Sequence, residues 1–331
     1  MTKHLISLAA ALALTAPVSA QEEPQGEPSP NEIVAGADAD EWVKIPAEDI
    51  VVMTLAPDEE GNPRQVIIQL MPAPFSRGWV ENIRTLASAE WYDDIAVNRV
   101  QDNYVVQWGD PNYDNPEAEG EAKPLPEGLK IVPEEEYTTE NLTGLGWSSI
   151  ALLRQRSNGD RPPRMDGLDD VYAERIGFSD GWPIAGDTDA YWPVHCYGMI
   201  GVGRGMSPDT GSGAELYTVI GHAPRHLDRN IALVGRIVEG IEHLSSLPRG
   251  TGALGFYTAE EAGKRTPILS VRVASNLPEN EQPSFEYLST EGETFARYAD
   301  ARANRRDPFF IVPAGGADIC NIPVPLRRVA E

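Results

Sequence analysis

Two apolar stretches carry polar side chains of complementary type at a fixed spacing: Val97-Asn98-Arg99-Val100 and Tyr104-Val105-Val106-Gln107-Trp108-Gly109-Asp110. Arg99 lies eight residues before Gln107, one in each of two consecutive predicted strands. A guanidinium is a permanently charged fork of N–H donors, and a carboxamide both donates and accepts. Fixed side by side, such a pair can polarise a bound amide by hydrogen bonding alone, with no covalent step. A glycine-rich stretch, Gly198-Met199-Ile200-Gly201-Val202-Gly203-Arg204-Gly205, is expected opposite the pair, and glycine lets backbone approach a ligand closely.

Other chemistries fit the residues less well. Gly201-x-Gly203 lacks a third glycine at dinucleotide spacing, and it joins strand to strand rather than strand to helix. Ser212, in Gly211-Ser212-Gly213, lacks the flanking spacing of a hydrolase nucleophile elbow. His195 and Cys196 are adjacent, so in a strand they face opposite sides, and no second metal-type pair exists. His222, His226 and His243 read as loop or helix-surface residues. No metal and no cofactor is expected. Asn141-Leu142-Thr143 is a formal glycosylation sequon of a kind common by chance.

The charge balance is strongly acidic, with 51 Asp and Glu against 27 Lys and Arg over 331 residues. Phosphate binding needs a concentrated basic face, so a nucleic-acid partner is excluded. Residues 1–20 read as a cleavable secretory leader: Lys3, an apolar run from Leu5 to Leu14, and the small-residue site Val18-Ser19-Ala20. That run is too short to span a bilayer, which takes roughly 20 apolar residues, and no second such segment follows. The expectation is a soluble, monomeric, periplasmic or secreted protein. Cys196 and Cys320 are then expected to pair in the oxidising compartment, against the alternative of two buried free thiols.

The elements that must position Arg99 and Gln107 follow from periodicity. Residues 21–47 are acidic and rich in Pro and Gly, and read as a disordered linker. Ile50–Leu55 and Gln65–Leu70 are β-branched runs joined by a turn, hence a hairpin. Ser76 is a candidate N-cap for a helix whose Trp79, Val80, Ile83, Leu86 and Ala87 recur at helical spacing. Strands are predicted at Ile95–Val100 and Tyr104–Trp108, and again at Tyr197–Val202, Leu216–Ile220, Ala232–Ile237 and Ile268–Ala274, with a second helix at Val238–Leu247. Between them, residues 111–193 read as a long insertion with one apolar patch, Ile150–Leu153. Eight antiparallel strands are the number that closes into a barrel filled by its own side chains. In the extension 276–331, Phe285, Leu288, Phe295 and Tyr298 suggest an amphipathic helix, and Pro308–Val312 a buried or docked strand. A Cys196–Cys320 bridge would staple this extension to the barrel.

Over residues 48–275 this order resembles the cyclophilin-type peptidyl-prolyl isomerases. The family's helix motif Glu-Asn-Phe-Arg-Ala-Leu stands here as Glu81-Asn82-Ile83-Arg84-Thr85-Leu86. Its Phe-His-Arg-Val is similar to Val97-Asn98-Arg99-Val100, and its Phe-Met-x-Gln-Gly-Gly-Asp to Tyr104 through Asp110. Gly198 through Arg204 stands for Gly-x-Leu-Ser-Met-Ala-Asn, Gly213-Ala214-Glu215-Leu216-Tyr217 for Gly-Ser-Gln-Phe-Phe, and His226-Leu227-Asp228 for Trp-Leu-Asp.

The resemblance implies a mainly β, closed eight-stranded barrel and an isomerase acting on Pro-containing polypeptides, here exported ones. It implies Arg99 as donor to the prolyl nitrogen, with Gln107 orienting it. Tyr104 and Leu216 would line the proline pocket, Gly203 and Arg204 would meet an extended peptide, and Glu215 and His226 complete the implied binding set. From the residues alone, Arg99 could equally be a structural ion pair, Gln107 a satisfied barrel polar group, and Tyr104 and Leu216 core packing. Departures from the pattern are Val97, Asn98, Trp108, Glu215, Leu216 and Ile231. Val97 and Leu216 in place of aromatics predict a wider pocket, and Glu215 could pair with Arg99. A rival expectation is a module that grips Pro-containing segments without useful catalysis.

Overall fold

The structure, a computed structural model, describes residues 26–113, 115–140, 148–149 and 170–329. The expected leader, the Asn141 sequon and the Ile150–Leu153 patch lie outside these residues. The chain begins with helix α1 (Pro30–Ala35) and strands β1 (Trp42–Lys44), β2 (Ile50–Leu55) and β3 (Arg64–Leu70), then helix α2 (Arg77–Ser88). Next come β4 (Ala96–Val100), β5 (Val105–Gly109), β6 (Ser148–Ser149), β7 (Arg175–Ser179), β8 (Trp182–Gly186) and β9 (Tyr191–Pro193). The remaining strands are β10 (Met199–Val202), β11 (Leu216–Val219), β12 (Leu233–Glu239), β13 (Ile268–Val273), β14 (Phe285–Leu288) and β15 (Leu326–Arg328).

Eight strands form one antiparallel sheet in the order β13-β2-β3-β12-β10-β11-β5-β4. The Val97 N–H donates to the Thr266 carbonyl at 2.9 Å and the Ile268 N–H to that of Ile95 at 2.8 Å, which returns β4 to β13 and closes the barrel. The β2–β3 hairpin turns where Asp58 Oδ1 accepts from the backbone N–H groups of Glu60 and Asn62, at 3.0 and 2.8 Å. Helix α2 packs its buried Trp79, Ile83 and Leu86 against the barrel core. Ser76 occupies its N-cap position, but with φ of 50° and no side-chain cap. The first turn is served from the insertion instead, where Glu136 accepts from the Gly78 N–H at 3.3 Å.

Tertiary partners overrule several local readings. Within the supposed linker, a Ser29–Glu32 capping box starts α1, Ile33 is buried in the main core, and β1 pairs with β14. The Glu/Pro/Gly composition holds too little apolar surface to fold by itself, yet enough to dock on the extension. The insertion carries a four-stranded sheet, β6-β7-β8-β9, whose Phe178, Trp182 and Trp192 join the barrel's own core. Arg236 of β12 ties the two together, donating to the Gly181 carbonyl at 2.7 Å and to Gln69 Oε1 at 2.9 Å beneath the Trp182 ring.

The predicted second helix is present but shorter: β12 runs on to Glu239, Gly240 turns the chain with φ of 85°, and Glu242–Ser245 is helical. In the extension, Phe285 and Leu288 belong to β14, and the helix covers Glu293–Ala303. Pro308–Val312 is neither strand nor docked: Phe309 and Ile311 are 83% and 97% exposed. The Cys196–Cys320 disulfide is formed, with Cα atoms 5.1 Å apart across 124 residues of sequence.

Candidate active site

Arg99 reaches the barrel's outer face through an irregularity in β4. Val97 pairs with Trp108, but Arg99 pairs with Gln107, so Asn98 is an extra residue in the ladder. Such a bulge re-aims the side chain that follows it. Asn98 is buried and holds the bulge by donating from Nδ2 to the Gly109 carbonyl at 2.9 Å. Arg99 Nε then donates to the Leu254 carbonyl at 2.7 Å and Nη1 to Gln107 Oε1 at 3.1 Å, while Nη2 donates to Gln101 Oε1. The guanidinium lies between the Tyr104 and Phe256 rings, 5.6 and 5.5 Å from their centroids. Burial lowers its pKa from the usual arginine value, though a guanidinium stays charged in proteins. Each terminal nitrogen keeps one N–H uncommitted, and Arg99 forms no ion pair among the described residues.

Arg99 and Gln107 open into a cleft of about 610 Å³. Its walls include Tyr104 and Val105 of the β4–β5 hairpin, Tyr217 of β11, Leu227 and Ile231 of the following loop, and Leu254 and Phe256. Tyr217 stands opposite Gln107 in the β5–β11 register, and residues directly opposite in an antiparallel pair share a face. Glycine at 201 is required here, since a Cβ would lie 2.3 Å from the Tyr217 ring. At Gly203 the constraint is Glu215, whose Cβ would lie 2.8 Å from a Cβ at that position, while Gln107 Nε2 would be at an ordinary contact distance of 3.5 Å.

A buried polar chain stands behind Tyr217. His195 Nδ1 lies 2.9 Å from Asp228 Oδ1, and Nε2 lies 2.9 Å from the Tyr217 hydroxyl. A carboxylate only accepts, so the Nδ1 proton faces Asp228 and the Tyr217 hydroxyl donates to Nε2. Burial lowers the His195 pKa against the opposing pull of Asp228, and burial pushes the Tyr217 phenol well above its usual value. Arg225 extends the chain: Nε donates to Asp228 Oδ2 at 2.7 Å and Nη1 to Asp170 Oδ2 at 2.5 Å. Cys196 follows His195, so the disulfide to the extension is anchored one residue from this chain.

Among the described residues no group of three or more His, Cys, Asp or Glu is placed to hold a metal ion, and no helix is long and apolar enough to cross a membrane. A family model described as cyclophilin type peptidyl-prolyl cis-trans isomerase/CLD matches residues 66–273, more than half of the chain. The chain belongs to this cyclophilin family. Among solved structures, it is similar to cyclophilin AquaCyp293 from Hirschia baltica, with a TM-score of 0.63 at 19% identity, covering 91% of this chain and 98% of that one. A Cryptosporidium parvum cyclophilin-type isomerase solved in the presence of the dipeptide Ala-Pro matches with a TM-score of 0.36 at 10% identity, over 68% of this chain and 97% of that one. No curated protein matches by sequence.

In this cyclophilin the cleft brings together Arg99, Tyr104, Gln107, Gly203 and Arg204, and the exposed His226 ring stacks near Tyr104 at its rim, 6.5 Å between centroids. Glu215 and Leu216 lie elsewhere. Glu215 is buried against Gly109, where a Cβ would strike its carboxylate, and Arg99 has the partners named above instead. Leu216 opposes Trp108 inside the barrel, as Val97 does. Val97, Trp108 and Leu216 thus form one interior group, with the tryptophan packed between two aliphatic side chains. The expected wider pocket does not follow, because none of the three residues lines it. Tyr217, one residue on, lines the cleft with Tyr104 and Phe256. Alternation along β11 puts only one of Leu216 and Tyr217 in the cleft, and the β5–β11 register, which sets Tyr217 opposite Gln107, decides which. Phe256 and the Leu254 carbonyl come from a loop with no periodicity, and nothing in the sequence pointed to them.

Proposed function

We propose that this cyclophilin catalyses cis-trans isomerisation of X–Pro bonds in exported polypeptides, with Arg99 donating a hydrogen bond to the prolyl nitrogen as the bond twists. The partial double bond of a peptide sets a barrier of about 18–20 kcal/mol. Twisting it removes resonance and leaves the nitrogen pyramidal with a usable lone pair. A donor beside that nitrogen binds the twisted form and not the planar one, which is the condition for acceleration. The observation that carries the reading is the anchoring of Arg99: three acceptors fix the guanidinium at the cleft, no described carboxylate neutralises it, and free N–H groups remain. Donors already in place need no reorganisation at the transition state. Tyr104, Tyr217 and Phe256 supply apolar surface for the proline ring. No bond is made or broken, and no general base is needed.

Two features support export. Residues 1–20 have the pattern of a cleavable leader. The Cys196–Cys320 disulfide is of the kind that persists in oxidising compartments. The test is isomerisation of a short Pro peptide by the purified protein and by Arg99→Ala. Removing one such donor should lower turnover by about 10²–10³, with the melting temperature little changed. Lysine should rescue poorly, because it lacks the planar fork. Full turnover in a folded Arg99→Ala protein overturns the assigned role, and peptide binding without acceleration by the unaltered protein makes the chain a binding module. Fractionation and N-terminal sequencing of the expressed protein check export, with Gln21 expected as the first residue.

A further inference from the structure

The cleft is electropositive in a protein that is otherwise strongly acidic. Its lining carries two guanidinium groups, Arg99 and Arg204, and no carboxylate among the described residues, although the chain has 51 Asp and Glu. Arg204 follows β10 and is fixed rather than free: Nε donates to the Asn230 carbonyl and Nη1 to that of Gly205, both at 2.8 Å. Both partners are neutral, so they orient the charge without cancelling it. Asp209, the carboxylate of the same turn, is engaged by the Gly205 and Gly211 N–H groups at 2.8 and 3.0 Å. Arg204 forms no ion pair among the described residues. The same lining includes Asn112, Asn115 and Met206, polar or apolar but uncharged.

Arg99 and Arg204 differ in what they have left to offer. Arg99 is committed to three acceptors and flanked by two rings, which suits it to a single atom of the isomerising bond. Arg204 stands beside Gly203, where an extended chain can pass close to the backbone, and its second terminal nitrogen faces no protein acceptor among the described residues. Charges of one sign within a low-dielectric cleft focus their field on what enters it. We propose that Arg204 makes this cleft selective for X–Pro segments with Asp or Glu beside the proline. The inference rests on the reading of the cleft as a proline site and names the class of segment it takes.

The test is calorimetric titration of the full chain with matched Pro peptides that carry Glu, Gln or Lys beside the proline, at low and at high salt. The Glu peptide should bind about two- to fivefold more tightly than the Gln peptide at low salt, the range of a partly exposed ion pair. The advantage should shrink as salt screens it. In Arg204→Gln the Gln-to-Glu ratio of dissociation constants should fall to about one, and in Arg204→Glu the Lys peptide should become the favoured one. Circular dichroism melting of each variant establishes that it is folded. Equal affinities in the unaltered protein, or a Glu preference that survives in Arg204→Gln, overturn the inference while peptide isomerisation by the same preparation leaves the proposed function standing. Binding of none of the peptides overturns both.

Discussion

Acidification through the histidine range should weaken this fold, and His195 is the reason. The ring is completely buried between Asp228 and Tyr217, and burial holds its pKa below the ordinary value of 6.5. In the unfolded chain the same imidazole takes up a proton near 6.5, while the folded protein resists it. The unfolded state therefore binds more protons below that pH, and stability must fall as pH falls; above it both states are neutral and the term vanishes. Each pH unit between the two values is worth about 1.4 kcal/mol for one proton. From pH 6.5 down to about 5 the loss is at most about 2 kcal/mol, a large share of a typical net stability. Carboxylates with lowered values, such as Asp93 and Glu261, lose their contribution only at more acid pH, below their ordinary values of 3.8 and 4.5. Urea unfolding across pH 7.5 to about 5 measures the slope directly. His195→Gln can still donate to Asp228 and accept from Tyr217, so it should fold and show a flatter profile in that window. A second variant, Tyr217→Phe, keeps the histidine and should keep the slope. A flat profile for the unaltered protein, or an equal slope in His195→Gln, would refute the assignment of a buried neutral histidine.

Three further outcomes are expected. Leu216→Phe adds volume beside Trp108 inside a filled barrel and should cost about 1–3 kcal/mol of stability without tightening Pro-peptide binding, as unfolding and titration will show. Tighter binding in a stable Leu216→Phe protein would return that residue to the pocket. Reduction of the Cys196–Cys320 bridge, which closes 124 residues, should cost about 4–5 kcal/mol in the chain-entropy model and lower the melting temperature while the barrel stays folded. Thiol titration of denatured, unreduced protein checks the bridge itself, and two reactive thiols would contradict it. Tyr217→Ala should weaken Pro-peptide binding several-fold through loss of the cleft wall, whereas Tyr217→Phe keeps the ring and should bind nearly as well; equal affinities for all three would remove Tyr217 from the site.

The barrel was legible because its strands announce themselves. Ile50–Leu55 and Gln65–Leu70 are β-branched runs around an Asp/Gly turn, and every predicted barrel strand has a counterpart in the closed sheet. Arg99, Gln107 and the glycines at 201 and 203 were legible for a related reason: their types are unusual within apolar strands, and their order follows a known family pattern. The cysteine pair was legible from the count of two and the leader-like pattern of residues 1–20.

What the sequence could not decide was which side of a strand each residue takes, and which distant segment completes it. A one-residue shift of register exchanges every inside and outside position. Leu216 and Tyr217 are equally apolar by composition, and only the pairing with Trp108 and Gln107 sends the first into the barrel and the second to the cleft. The bulge at Asn98 is of the same kind: strict alternation does not foresee it, yet it turns Arg99 toward Gln107. Phe256, the Leu254 carbonyl and the His195–Asp228 pair reach the site from segments far away in the chain. The Glu- and Pro-rich start at residues 30–44 looked unable to fold, and it orders because β14 and the extension offer it a surface. Local pattern sets which elements exist, since that depends on the backbone's own periodicity. Side, register and docking depend on contacts between residues far apart in sequence, and those exist only once the chain has closed on itself.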